Sequence, residues 1–160
     1  MNVAKKVFFS YSHEDEHFAD GLAKSLKVLE RDRLIEVWYD RHINAGEEWD
    51  DLIKKRIEEA DIFLLLISPN FFASEYIYHK EMRRAMERRR AGDAIVVPVL
   101  LRHVESLGNE LSALEALPRD LIPVMDCSKQ DKAFADIASE IRRIIITANP
   151  QKARHVTMAS

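Results

Sequence analysis

Two rhythms of apolar residues alternate along this chain. Lys6-Val7-Phe8-Phe9-Ser10-Tyr11 is a short, β-rich run that reads as a buried strand. Ser12 and the acidic Glu14, Asp15 and Glu16 follow, and they suit a helix N-terminus, where the macrodipole favours negative charge. Phe18, Leu22, Leu26 and Leu29 recur at helical spacing and give that helix its core stripe. Leu34 to Tyr39 predicts a second strand, Asp40 to Gly46 a loop, and Trp49, Ile53, Ile57 and Ala60 the stripe of a second helix. The run from Ile62 to Ile67 is apolar at every position, as in a strand covered on both faces at the centre of a parallel sheet. Ser68-Pro69-Asn70 ends it, and one helix is predicted from about Ser74 to Arg90, stopped at Gly92. Ala94 to Leu101 predicts a fourth strand and Ile122 to Met125 a short fifth. Phe134, Ile137, Ile141 and Ile145 stripe the last helix.

Strands alternating with helices imply βαβ units. The expected architecture is an α/β, flavodoxin-like, five-stranded parallel sheet with helices on both faces. Residues 1–148 would form this domain, and 149–160, which lack periodicity, a tail or linker. In such sheets ligands bind beyond the carboxyl ends of the strands. Phe9 to His13, Asp40 to Gly46, Ser68 to Asn70 and Leu101 to His103 therefore come first as site candidates.

Composition narrows the choices. A net charge of -3 leaves no basic excess for direct nucleic-acid binding. Arg83, Arg84, Arg88, Arg89 and Arg90 read as the solvated face of a helix. The single Cys127 excludes an intrachain disulfide and a Cys-based zinc site, and it reads as inert. Met1 runs almost directly into a strand, and no apolar stretch approaches the ~20 residues that span a bilayer. A cytoplasmic setting without membrane contact is expected. The four glycines form neither GxGxxG nor a P-loop, no GxSxG elbow occurs, and the histidines lack metal-ligand spacing. A receiver domain would want an Asp where Ser68-Pro69 follows the central strand.

Glu81 remains. On the helix its neighbours Tyr78, Met82, Ala85 and Met86 define a buried stripe, and Glu81 falls about 60–70° from its middle at 100° per residue. By helical position alone, a flank charge paired with Arg84 or Arg88 is the stronger reading. Trp49 reads as a core anchor, and Gly46 as a positive-φ residue ahead of a helix.

Taken in order, several segments shift that balance. They are Val7-Phe8-Phe9-Ser10-Tyr11-Ser12 with its acidic helix start, Trp38-Tyr39-Asp40-Arg41 with Ile43 and Ala45-Gly46, and Ala60-Asp61 leading into Leu64-Leu65-Leu66-Ile67-Ser68. Asn70-Phe71-Phe72 with Ser74-Glu75-Tyr76, Glu81-Met82 and Val97-Pro98-Val99 complete the set. The ordered set, from Lys6 to about Ile146, resembles the TIR (Toll/interleukin-1 receptor) domain in its bacterial form.

The resemblance implies one of two functions. Some TIR domains are scaffolds that signal by self-association; others cleave NAD+ at the nicotinamide–ribose bond, giving nicotinamide and ADP-ribose or a cyclic isomer. In the enzymes a single Glu on the helix after the central strand is essential, and Glu81 matches that position. The family often carries an aromatic residue four positions earlier; here that is Ile77, with Tyr78 beside it. Under this reading NAD+ is the substrate, no cofactor or metal is needed, and Glu81 is catalytic. Phe9, Ser10, Tyr11, Arg41, Ile43, Trp49 and Tyr78 line the substrate site, while Asp40, Arg41, His42, Ile43, Asn44, Ala45 and Gly46 form an assembly loop. Partners would be other TIR domains in a homo-oligomer or filament and a fused or separate sensor, in a setting of antiphage defence. A non-catalytic scaffold and a nucleoside N-glycosidase or transferase are the alternatives.

Overall fold

A computed structural model describes residues 3–39 and 47–148. Four strands, β1 (Lys5–Ser10), β2 (Ile35–Trp38), β3 (Ile62–Ile67) and β4 (Ile95–Leu100), form one parallel sheet in the order β2-β1-β3-β4. The chain moves outward from β1 to β2, then reverses to place β3 on the other side of β1. That reversal sets the topological switch point between β1 and β3.

Strand alternation divides the core in two. Val7, Phe9 and Tyr11 of the first strand segment, with Leu64, Leu66, Val97 and Val99, face α1 (Glu16–Ser25), α2 (Lys27–Arg31) and, at the chain's far end, the helix Gln130–Ala148. Phe8, Phe63, Leu65, Ile67 and Val96 face the opposite layer. That layer comprises α3 (Glu47–Glu59), α4 (Pro69–Ala73) and α5 (Arg83–Arg90). Every residue of β3 is buried, as its unbroken apolar run predicts. A short α6 (Gly108–Leu111) lies in the long connection after β4, and α7 is the final helix Gln130–Ala148. Gly21 lets α1 approach α7 closely, since a Cβ there would stand 2.6 Å from a ring carbon of Phe134. Gly92, at φ +81°, ends α5 in the left-handed conformation that its position after the helix demands.

Two expectations are corrected and a third is refined. The fifth strand over Ile122–Met125 is absent: Val124–Asp126 forms a 3-10 turn, and Ile122 and Met125 are exposed. The even-numbered residues of β4 turn their backbone groups to the outer edge, and there Pro98 has no N–H to give. Leu117 takes the rung that remains, donating its N–H to Pro98 O (2.9 Å) and accepting from Leu100 N (2.7 Å). The helix predicted from about Ser74 to Arg90 is present without a break from 75 to 90, but its Ile77–Met82 stretch is a π-helical turn running into α5. Arg88 is buried rather than solvated, with its guanidinium donating to Ile57 O (2.8 Å), Ala60 O (2.5 Å) and Asp93 O (3.2 Å). It thereby caps the end of α3 and ties it to the turn before β4. The predicted tail over 149–160 lies outside the described residues.

Candidate functional site

The π turn decides where Glu81 points. In an α-helix, position 78 shares a face with 82; in i→i+5 bonding, position 77 does. Arg83 N–H accordingly bonds to Tyr78 O. Ile77 and Met82 are buried, while Tyr78, predicted to be in the stripe, is 37% exposed. The change of phase also turns Glu81 inward from the shoulder of the core, to 0% exposure. There its Oε1 accepts a hydrogen bond of 2.6 Å from Ser10 Oγ, at the last position of β1. Ser10 follows Phe8 on the face that meets this layer, so strand alternation aims its hydroxyl at the π turn.

The arginines that a surface reading would pair with Glu81 are engaged elsewhere. Arg84 forms a two-point pair with Glu58 (2.6 and 2.8 Å), and Arg88 holds its three carbonyls. The Arg84 guanidinium keeps the Glu58 carboxyl below its ordinary range. A buried carboxylate is costly unless hydrogen-bonded. Glu81 is therefore a deliberate core feature and not a flank charge.

A cavity of about 390 Å³ opens at the carboxyl ends of β1 and β3, lined by Tyr11, the residue after Ser10, and by Ile77 of the π turn. Ser10 and Glu81 themselves lie behind its walls. Tyr11, Ser12, His13 and Glu14 form one wall, and Asn70, Ala73, Ser74, Tyr76 and Ile77 the other. Tyr11 both lines this cavity and packs into the α1 layer, its hydroxyl bonded to Tyr39 O (3.0 Å) just before the predicted loop. Phe9 is placed apart from Glu81, on the opposite face of the sheet against Tyr39. The Tyr78 ring turns outward too, with its hydroxyl 3.3 Å from Glu110. Residues 40–46, which include Asp40, Arg41, His42, Ile43, Asn44, Ala45 and Gly46, lie outside the described residues. Trp49 falls in the first turn of α3, and its side chain likewise lies outside them.

Sequence reasoning missed two participants. Tyr76 brings a partly buried ring to the cavity wall. Asp15, expected as one of three acids in the first turn of a helix, is fully buried in the 3-10 turn His13–Asp15 and accepts the hydroxyl of Ser68. No one-dimensional pattern flags either residue, although Ser68 at an N-cap could have been read from Ser-Pro ahead of a helix.

Other sites carry less chemistry. A larger cavity of about 720 Å³ lies between the β4 edge and α7, away from Glu81, and there Glu140 is held by Arg119 (2.8 Å) and Arg143 (3.1 Å). His103 pairs with Asp126 near a shallow cavity lined by Pro69 and Phe72. Cys127 is half-buried, and burial together with nearby Asp120, Asp126 and Asp136 raises its thiol pKa, which disfavours the thiolate. Among the described residues no His, Cys, Asp or Glu side chains group to hold a metal ion, and no helix is long and apolar enough to cross a membrane.

Comparison with known proteins agrees with this architecture. A family model described as the TIR domain matches residues 7–141. Uncharacterized protein y4lF of Sinorhizobium fredii is 43% identical over 158 residues, covering 96% of this chain and 49% of that protein. The chain thus spans about half the length of this curated relative. Among solved structures, the RPS4 and RRS1 TIR domain heterodimer matches with a TM-score of 0.56 at 18% identity, over 87% of this chain and 96% of that one. A family match over most of the length, on a parallel sheet of this order, gives one conclusion: the chain belongs to the TIR domain family.

Proposed function

We propose that this domain is an NAD+ nucleosidase in which Glu81 is the catalytic group. The observation that carries the reading is a carboxylate buried at the switch point and bonded to Ser10, behind a cavity between the β1 and β3 ends that Tyr11 and Ile77 line. The reaction asks little more of the protein. Nicotinamide leaves C1′ of the ribose as a neutral molecule, taking the bonding pair to its ring nitrogen, so no acid is required. This differs from ordinary glycosides, where a second carboxyl protonates the leaving oxygen. The carbon left behind is oxocarbenium-like, and an ionised Glu81 opposes its positive charge while accepting hydrogen bonds from the ribose hydroxyls. Water then adds at C1′ and loses a proton, giving ADP-ribose; attack by a group of the same molecule gives a cyclic isomer.

Glu81 has no exposed surface here, so a substrate must displace its cover and take over the role of the Ser10 hydroxyl. Assembly of neighbouring copies, with the 40–46 loop completing the site, would supply that opening and make activity rise more steeply than protein concentration. No cofactor is required; NAD+ is the substrate, and a sensor module would provide the trigger. The test is nicotinamide release from NAD+ by wild type, Glu81→Ala and Glu81→Gln over a range of protein concentrations. Loss of release in both variants is expected; unchanged release would remove Glu81 from the chemistry.

One observation favours a second reading, TIR–TIR association without catalysis: the solved neighbour is itself a heterodimer of TIR domains. Concentration-dependent oligomers with no nicotinamide release, even at high concentration, would select it.

A further inference from the structure

The cavity at the carboxyl ends of β1 and β3 has two walls, and one buried contact joins the segments that form them. The first wall is the turn after β1, residues 11–14; the second runs from Asn70 to Ile77. Asp15 ends the first segment, its N–H bonded to Ser12 O (2.9 Å). Ser68 begins the second. The Ser68 hydroxyl donates to Asp15 Oδ2 and accepts from Phe71 N–H (3.0 Å), which caps α4. Both side chains have 0% exposure. The remaining carboxylate oxygen of Asp15 faces Arg102 Nη1 at 3.8 Å, just past β4. Arg102 is in turn tied to β3 through its N–H to Ile67 O (3.3 Å).

From α4 the linkage continues toward the site. Ser74 accepts from Ile77 N–H through its side chain (3.2 Å) and from Tyr78 N–H through its carbonyl (3.1 Å), which starts the π turn that carries Glu81. Ser10, at the other end of the Glu81 contact, lies five residues before Asp15 in the same segment. Asp15 and Ser68 therefore fasten together the two segments whose separation fixes both the cavity width and the Ser10–Glu81 contact.

We propose that Asp15 is a positioning residue for the Glu81 site, acting through Ser68 to hold the β1 turn against α4 and the π turn. The proposal rests on the NAD+-cleaving reading for its kinetic consequence but not for its structural one. Asp15 touches no substrate. A carboxylate enclosed here is costly, and an apolar residue would fill the same volume. What only an acceptor supplies is a directional bond to Ser68, which α4 already requires at its cap. A misplacement near 1 Å at a reacting centre costs up to about 100-fold in rate, so a clamp at this joint has leverage on the chemistry.

The experiment compares wild type, Asp15→Ala, Asp15→Asn and Ser68→Ala by nicotinamide release from NAD+ and by amide hydrogen exchange across the chain. Asp15→Ala is expected to lower kcat by at least about tenfold with a smaller change in KM, and to speed exchange selectively over residues 11–16 and 70–82. Asp15→Asn keeps an acceptor for Ser68 and should restore kcat to within about threefold of wild type. If Asp15→Ala does not fold, Ser68→Ala breaks the same bond, and the α4 cap with it, while leaving the carboxylate with Arg102; it should lower kcat likewise and speed exchange over 11–16, the segment that the lost cap does not touch. Exchange that rises uniformly through the sheet, or stays unchanged in 70–82, overturns the proposal. Wild-type protein that releases no nicotinamide, with exchange still changing selectively in the variants, would remove the activity and leave the clamp standing.

Discussion

Replacing Ser10 by Ala tests the contact on which the site is built. The Ser10 hydroxyl meets Glu81 Oε1 at 2.6 Å, and neither residue has exposed surface. A hydroxyl donating to a carboxylate contributes about 1.5–3 kcal/mol net. Ser10→Ala removes the donor and little else, so a stability loss of that size is expected. For a domain of this length it corresponds to a fall of about 3–12 °C in Tm. A single variant does not assign the loss to Glu81, but a double-mutant cycle with Glu81→Met does. Met keeps the approximate volume and removes the charge, so in that background Ser10→Ala should be nearly neutral. Glu81→Met itself should hold or raise stability, because the buried charge is gone, while nicotinamide release is lost. Urea denaturation of the four proteins, followed by circular dichroism, measures the coupling. At least about 1 kcal/mol is expected; additivity within about 0.5 kcal/mol would show that the two side chains do not interact, and the reasoning would fall.

Two further outcomes follow from contacts away from the site. Arg88→Met strands the carbonyls of Ile57, Ala60 and Asp93 and should cost about 2–4 kcal/mol in denaturant unfolding, with Arg88→Lys recovering little because an ammonium does not span all three; a Lys variant equal to wild type would refute this. Arg119 and Arg143 hold the Glu140 carboxyl below its ordinary pKa of 4.5, so their stabilisation is present above that pH and is lost as the pH falls through the lowered value. Arg119→Gln should thus cost about 0.2–1 kcal/mol near neutrality and converge on wild type in acid, whereas a pH-independent difference would contradict the assignment.

What could be read in one dimension was whatever repeats. The unbroken apolar run of β3 identified the central strand, and the stripes at Phe18–Leu29 and Phe134–Ile145 identified helices that do cover one face. The carboxyl ends of β1 and β3 followed from the parallel topology alone, and the cavity lies there. The failures came where backbone hydrogen bonding departs from the periodic rule. Ile122–Met125 has strand composition, but Leu117 takes the β4 edge at Pro98 and Leu100, and Met125 bonds past it, giving its N–H to Leu101 O (3.0 Å). The Ile77–Met82 turn shifts phase by one residue, which buried Ile77 where Tyr78 was predicted to be and moved Glu81 from the shoulder into the core. Asp15 was placed by its helix-start neighbours, while its partner Ser68 lies 53 residues away, beyond any local pattern. The resemblance to TIR domains pointed to Glu81 where the helical wheel favoured a surface pair, and the burial of Glu81 against Ser10 sides against the wheel.

The wider turn also changes how the missing ring at position 77 should be counted. One α-helical turn back from Glu81 is Ile77; one turn back by the spacing this segment uses is Tyr76. Tyr76 is the aromatic residue of this segment that borders the cavity. In this chain, then, the ring that the wide turn brings to the cavity wall comes from Tyr76, five positions before Glu81, and not from position 77.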